Sequence, residues 1–117
     1  MLKPSWLRWN IISVKKKQLV RQNFRDNVFK RDGYRCKKCL EAGSPLDAHH
    51  ITDRNEMPNG GYVKENGISL CPDCHLKAEE YHQSEGQTWA PDMHPNDLYE
   101  LIGSSYEEAV AASERLK

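Results

Sequence analysis

Residues 46–75 read LDAHHITDRNEMPNGGYVKENGISLCPDCH, and this stretch decides the fold. Leu46 to Ile51 is predicted to be a strand leaving the turn at 43–45, and Gly67 to Leu70 a second short strand. The two would pair antiparallel across a loop at 52–65, which contains glycines and a proline and has little apolar pattern. Pro72 suits the opening turn of a helix that runs to about Gln83. The stretch therefore predicts a strand–loop–strand–helix unit.

A helix is predicted before this unit, from about Ser13 to Arg31. Its apolar residues recur every four positions and form one stripe, at Val20, Phe24 and Val28. Asp32-Gly33 would end the helix, because glycine tolerates the left-handed conformation of a helix cap. Upstream, Trp6 and Trp9 fit one face of a short helix that covers the core, with a partner-binding patch as the alternative.

Two further helices are predicted near the C-terminus. Asn96 is predicted to cap a short helix at 97–102. Ser105, with Glu108 three residues later, forms a capping box for a final helix that ends near Leu116. This acidic tail carries no catalytic grouping, so it is predicted to serve packing or to form an interaction surface.

The length indicates one small domain, and the predicted strands and helices make it α+β. With 117 residues, 38% of them apolar, and a mean hydropathy of −0.84, the chain has little core to spare, so a structural metal would help it fold. We expect a basic helical arm at 1–33, a core at 34–86 and an acidic helical tail at 87–117. No run of 18 apolar residues exists, and Pro4, Arg8 and Asn10 interrupt the N-terminus, which predicts a cytoplasmic protein without a membrane span.

Two Cys-x-x-Cys pairs are the strongest single signal in the sequence. They are separated by 31 residues and consist of Cys36, Cys39, Cys71 and Cys74. In a reducing cytosol, such pairs are more often zinc ligands than disulfides. Four thiolates can enclose a tetrahedral Zn²⁺ with no open position, so the predicted site is structural. A zinc ribbon without enzymatic activity would use the same arrangement and remains an alternative at this point.

The charge is distributed unevenly although the net charge is zero. Residues 1–39 contain 12 basic and 2 acidic side chains, whereas residues 40–117 contain 5 basic and 15 acidic ones. Such asymmetry predicts an electropositive end that contacts a polyanion. Lys17, Arg21 and Arg25 recur every four residues beside the apolar stripe, where they could follow phosphates without reading bases.

Histidines distinguish a zinc ribbon from an enzyme. His49 and His50 are neighbours on a predicted strand and therefore point to opposite faces, so one can hold a metal while the other faces a substrate. His75 directly follows the zinc ligand Cys74, and its imidazole can reach across to the strand pair. A hard divalent ion held by one or two imidazoles, with water at the remaining positions, suits phosphodiester chemistry.

The order of these residues resembles the His-Asn-His (HNH) endonucleases, whose core is a ββα-metal motif. The resemblance covers about 29–82 and includes RDGYRC at 31–36, LDAHHI at 46–51 and NGISLCPDCH at 66–75. It implies His49 and His75 as ligands of a catalytic divalent metal, His50 as general base, and Asn66 as a brace that aims His50. Some family members have another histidine at the position of Glu79, which is a possible third ligand here.

The resemblance also implies an activity. The protein would be an endonuclease that uses Mg²⁺, Mn²⁺ or another divalent ion to hydrolyse double-stranded DNA, leaving 5′-phosphate and 3′-hydroxyl ends. We expect nicking with weak sequence preference by a monomer or weak dimer, and a phage origin with a packaging motor as a possible partner. The alternatives are a non-catalytic zinc-containing nucleic-acid module and an interaction protein that uses its acidic tail. The candidates for contacting the DNA backbone are Lys17, Arg21, Arg25, Lys30, Arg31 and Arg35.

Overall fold

The computed structural model describes the backbone of residues 5–116 and the side chains of residues 16–116. The side chains of Trp6 and Trp9 lie outside this range, so their predicted packing is not described. Four helices and one two-stranded sheet are present in the described chain, which confirms the predicted α+β class. Their order is α1 (Ser5–Arg31), β1 (Asp47–His50), β2 (Gly67–Leu70), α2 (Pro72–Gln83), α3 (Pro95–Leu101) and α4 (Tyr106–Glu114).

Helix α1 is longer than predicted, because it begins at Ser5 rather than near Ser13. Two residues of its apolar stripe are buried as predicted, with Phe24 3% exposed and Val28 fully buried, whereas Val20 is half-buried. The stripe packs directly on β2 at Gly67, where an added Cβ would lie 2.5 Å from Val28 Cγ2 and 2.7 Å from Phe24 Cε1. The absence of a side chain at Gly67 therefore permits the close approach of helix and sheet.

The two strands form the predicted antiparallel pair. His49 pairs with Ile68 and His50 with Gly67. Strand β1 is one residue shorter at each end than the predicted Leu46–Ile51, although the Ile51 N–H still donates to the carbonyl of Asn66. Strand β2 has the predicted bounds and is buried along its whole length, since α1 covers one face and the core the other.

The connection between the strands is predicted to be a loop, and it consists largely of three short 3₁₀ turns. These span Arg54–Glu56, Pro58–Gly61 and Lys64–Asn66. The side chain of Asn59, in the second turn, donates to the carbonyls of Ser113 and Leu116. The connection is therefore attached to the C-terminal end of the chain.

Helix α2 has the predicted bounds, Pro72–Gln83, and its first turn is held by Cys71, whose sulfur accepts from Cys74 N–H. Helix α3 differs from the prediction. It spans Pro95–Leu101, so the prediction of Asn96 as its cap is wrong. His94 occupies the cap instead, because its Nδ1 accepts from the Asn96 N–H.

Helix α4 begins after Ser105, whose hydroxyl accepts from Glu108 N–H. This is one half of the predicted capping box, since the described residues show no hydrogen bond from Ser105 N–H to the Glu108 carboxylate. The helix ends at Glu114, two residues before the predicted Leu116. The C-terminal helices contribute directly to the core. Leu98, Tyr99 and Ala109 are at least 97% buried and join the cluster formed by Ile68 and Leu70. The tail therefore packs against the strand–helix unit.

Among residues 5–116, no helix has the length and apolar character needed to cross a membrane.

Candidate active site

The four cysteine sulfurs meet at one point beside the N-terminus of α2. Their ligand atoms all lie within 4.8 Å of one another, and the Cys39 and Cys71 sulfurs are 3.8 Å apart. Sulfurs bound at about 2.3 Å around a tetrahedral Zn²⁺ would be separated by about 3.8 Å. Backbone N–H groups donate to the first sulfur of each pair, from Cys39 to Cys36 and from Cys74 to Cys71. The arrangement fits the predicted structural zinc site.

The surroundings affect the cysteine thiols differently. Burial raises the pKa of the Cys74 thiol. Burial also acts on Cys36, but the backbone N–H groups of Cys39, Cys71 and Lys38 outweigh it and lower the pKa of that thiol to about 7. Because the thiolate is the form that binds a metal, Cys36 is prepared to act as a ligand near neutral pH.

A second cluster lies between β1 and α2. Glu79 Oε1 is 3.1 Å from His49 Nδ1 and 3.1 Å from His75 Nε2. His49 is 2% exposed, and its Nδ1 has no hydrogen-bond partner within the described part of the chain, because the angle to Glu79 is unfavourable. Two imidazole nitrogens and a carboxylate oxygen thus face one point, which fits a divalent metal ion.

Charge at this cluster also suits a cation. Contact with His49 lowers the pKa of Glu79 to about 2, so its carboxylate is ionised at neutral pH. Burial lowers the pKa of His49, which therefore presents a neutral imidazole. A neutral imidazole and an ionised carboxylate are the forms in which these side chains bind metals.

Asp47 completes the surroundings of His75. Its Oδ2 lies 3.1 Å from His75 Nδ1, the ring nitrogen that faces away from Glu79. A carboxylate at this nitrogen holds the ring in one tautomer and directs the other nitrogen toward the metal position. The sequence analysis missed Asp47, although it stands two residues before His49 and hence on the same face of the strand.

His50 lies on the other face of β1, against α1. The Phe24 ring stacks on it at 4.5 Å between centroids, and the Tyr62 ring packs edge-on at 4.8 Å. Burial, reinforced by the nearby His49 and Arg54, lowers the pKa of His50 to about 4. The imidazole is therefore neutral near pH 7 and able to accept a proton.

Asn66 joins the two ends of the connection between the strands. It is fully buried, and its side chain accepts from Thr52 N–H while donating to the carbonyls of Thr52 and Gly61. The Tyr99 hydroxyl also donates to Asn66 Oδ1, at 2.7 Å. Asn66 thus holds the chain shortly after His50.

These residues stand in the order His, Asn, His around a two-stranded sheet and a helix. Residues 35–80 match the HNH endonuclease family model. The resemblance seen in the sequence is thereby confirmed over this segment, and an HNH segment indicates nuclease activity or nucleic-acid binding. No curated protein and no solved structure matches the chain significantly. Within the HNH segment lie all four cysteines together with His49, His50, Asn66, His75 and Glu79.

His82 lies just outside the HNH segment and contacts both strand histidines. Its Nε2 is 2.9 Å from the His50 carbonyl, and its ring stacks on His49 at 5.2 Å. Since a carbonyl only accepts, Nε2 of His82 carries the proton. His82 therefore fixes the strand of the HNH segment, and it is not a member of the His49–His75–Glu79 cluster.

An open cavity of about 310 Å³ connects the HNH histidines. It is lined by Ala48, His49, His50, Asp53, Arg54, His75, Glu79 and His82. Arg54, which the sequence analysis missed, supplies a positive charge at the cavity wall. The signal for it was weak, because a single arginine in a polar loop is usually solvated.

The predicted phosphate-contacting residues fall into two groups. Lys17, Arg21, Arg25, Lys30 and Arg35 are exposed. Arg31 instead donates to the Asp32 carboxylate and to the carbonyls of Lys64 and Gly67, joining α1 to β2. Because its guanidinium already makes these hydrogen bonds within the protein, we leave Arg31 out of the proposed DNA interface.

Proposed function

We propose that this protein is a metal-dependent DNA endonuclease that hydrolyses phosphodiester bonds. One observation carries the proposal: His49 and His75 converge on the same oxygen of Glu79, and His50 lines the same cavity from the adjacent strand position. A metal position beside a neutral imidazole is what hydrolysis of a phosphodiester requires. The match to the HNH endonuclease model supports the same conclusion.

In this proposal His49, His75 and Glu79 hold the catalytic divalent ion, Mg²⁺, Mn²⁺ or another, while zinc occupies the four cysteines. The bound ion would neutralise charge on the scissile phosphate and stabilise the departing 3′ oxygen. Asp47 keeps the His75 ring turned toward this position through its contact with Nδ1. The orphaned Nδ1 of His49 is the main support for a ligand at this point.

His50 is the proposed general base. Its neutral imidazole would take a proton from water, and the resulting nucleophile would attack phosphorus in line, which leaves a 5′-phosphate and a 3′-hydroxyl. The rings of Phe24 and Tyr62 hold His50 from two sides, and Asn66 fixes the chain that follows it. These contacts support one orientation of the base relative to the cavity.

The DNA backbone is proposed to follow the exposed basic residues Lys17, Arg21, Arg25, Lys30 and Arg35. Lys30 also lines a groove of about 770 Å³ beside α1 that reaches Phe24 and Tyr62, the two ring contacts of His50. Arg54 adds a positive charge within the catalytic cavity. Contacts to phosphate rather than to base edges predict weak sequence preference. Nicking would then be the elementary event, and a double-strand break would need two nicks or a dimer.

The biological setting belongs to the proposal as well. Small stand-alone proteins of the type this chain resembles are found in phages beside genome-packaging genes. We extend that setting to this chain, with a packaging motor as the partner. The support for it is the resemblance alone, so a cleavage assay with and without a packaging motor is its separate test.

Incubation of the purified protein with supercoiled plasmid and Mg²⁺, Mn²⁺ or EDTA tests the activity. Conversion to the relaxed form only with a divalent ion supports the endonuclease, and ligation of the nicks without prior kinase treatment checks the end chemistry. Gel retardation without cleavage under every metal condition would instead favour a non-catalytic zinc module. The absence of both effects would favour an interaction protein.

A further inference from the structure

Tyr99 reaches the HNH asparagine from outside the HNH segment. It lies on α3, is 3% exposed, and places its hydroxyl 2.7 Å from Asn66 Oδ1 and 2.7 Å from Thr52 Oγ1. Asn66 and Tyr99 are distant in the sequence. Their side chains meet because the C-terminal helices pack on the core.

The direction of each hydrogen bond in this group is determined. The Thr52 N–H can only donate, so the Asn66 atom facing it is the carbonyl oxygen. Tyr99 must then donate its proton to the same oxygen, and the Thr52 hydroxyl in turn donates to Tyr99. The Asn66 amide nitrogen donates its two protons to the carbonyls of Thr52 and Gly61. A flipped amide would set its NH₂ against the Thr52 N–H and its oxygen against the carbonyls of Thr52 and Gly61, at a side chain that is fully buried.

The donor role of Tyr99 is stable across the pH range of the protein. Burial raises the pKa of Tyr99 to about 12, so the phenol keeps its proton. Ile51, which follows His50, is also hydrogen-bonded to Asn66, because its N–H donates to the main-chain carbonyl of Asn66. Three hydrogen bonds therefore connect Ile51 and Thr52, the two residues after His50, to Asn66.

We infer that Tyr99 is a positioning residue for DNA cleavage: its hydroxyl locks the Asn66 side-chain amide, and through it the Thr52 backbone, in the orientation that aims His50. The inference rests on the proposed function. It gives the C-terminal helices a part in the active site, and it predicts that the HNH segment without α3 lacks one of the groups that hold its catalytic asparagine.

Tyr99→Phe removes one oxygen atom and tests this role. We expect kcat for plasmid nicking to fall about ten-fold, with KM within two-fold of wild type, since the deleted hydrogen bond positions the base and does not bind DNA. Tyr106→Phe, at an exposed tyrosine of α4, is the matched control. Leu98→Val, equally buried on α3, lowers stability without touching Asn66.

A double-mutant cycle separates positioning from general destabilisation. If Tyr99 acts through Asn66, Tyr99→Phe has no further effect on kcat in an Asn66→Ala background. If Tyr99→Phe lowers kcat equally in the wild-type and Asn66→Ala backgrounds, the inference is overturned. It is also overturned if Leu98→Val, compared at the same fraction of folded protein, lowers kcat as much as Tyr99→Phe does.

A measurement without DNA keeps the test independent of cleavage. In wild type, NMR should give Asn66 side-chain NH₂ signals that exchange slowly with solvent, and Tyr99→Phe should raise their exchange rate at least ten-fold while the amides of α2 keep theirs. Unchanged Asn66 exchange overturns the inference. If wild type shows the protected amide but never cleaves DNA, the proposed function fails while the contact stands. Should Tyr99→Phe not fold, Thr52→Val is the second variant: it removes the hydroxyl that donates to Tyr99 and orients it toward Asn66, so Asn66 side-chain exchange should rise by a smaller factor, and no rise overturns the inference.

Discussion

Asp47 Oδ2 lies 3.1 Å from His75 Nδ1, and this contact joins the first residue of β1 to the first turn of α2. The other nitrogen of His75 faces Glu79, so the carboxylate of Asp47 sets the direction in which the ring offers its lone pair. The protein itself therefore holds the His75 imidazole in this orientation.

Asp47→Asn should weaken binding of Mn²⁺ about ten-fold and leave the zinc content unchanged, because loss of a carboxylate behind a ligating histidine typically has this effect. Calorimetric titration with Mn²⁺ measures the change. Asp26→Asn, an exposed acid on α1, is the control and should bind as wild type does. Equal Mn²⁺ affinity in both variants would remove Asp47 from the metal centre.

Glu79→Gln should abolish most Mn²⁺ binding, with affinity lower by more than about ten-fold, since a neutral amide replaces the ionised ligand. Cleavage should fall at least as far at subsaturating metal. Glu80→Gln changes the adjacent, exposed glutamate of the same helix and should retain both properties. A Glu79→Gln protein with wild-type affinity would restrict the metal site to the two histidines.

His50→Ala should keep the fold and DNA binding but lose cleavage by about a hundred-fold or more, because a general base typically contributes that much. Circular dichroism, gel retardation and plasmid nicking report the three properties separately. His94→Asn is a suitable control, since asparagine is also a good helix cap and position 94 lies outside the cavity. Nicking at the wild-type rate by His50→Ala would refute its assignment as the base.

Cys71→Ser should destabilise the whole protein and lower the midpoint of thermal unfolding by more than about 10 °C, because zinc binding energy acts as folding energy. Zinc removal by a chelator should produce the same loss in wild type. Metal analysis by mass spectrometry should find one zinc per chain in wild type and less in the variant. An unchanged transition in the zinc-free protein would show that the four cysteines are not a structural site.

Replacing Lys17, Arg21 and Arg25 together by glutamine should weaken DNA binding and reduce the slope of log K against log salt by about 3, roughly one for each phosphate that is no longer neutralised. All three are exposed on α1, so stability should change little. Fluorescence anisotropy at a series of salt concentrations measures the slope. Lys77→Gln, on the exposed side of α2, is the control. An unaltered slope in the triple variant would place the DNA elsewhere.

The local features of the fold could be predicted from the sequence. The alternation of side chains along a strand predicted that His49 and His50 point to opposite faces. The spacing of the cysteine pairs indicated one metal site, and Pro72 marked the first residue of α2. Each of these depends on residues that are close in the chain, where geometry is set by backbone periodicity and side-chain size. The N-cap of α3 was predicted wrongly although it too depends on neighbouring residues. Histidine is a rare N-cap, and Asn96 matched the common pattern better than His94 did.

The contacts that complete the site were decided by the tertiary structure. Asp47 meets His75 across the gap between strand and helix, Arg54 lines the cavity beside the histidines, and Tyr99 reaches Asn66 from α3. Arg31, which the sequence offered as a DNA contact, is instead bound to carbonyls of the strand connection and β2. The sequence by itself therefore determined which residues of the HNH segment have side chains that can bind a metal or transfer a proton. Only packing decided which side chains orient them, because hydrogen bonds between distant segments depend on how the elements are brought together and leave no periodic pattern in the chain.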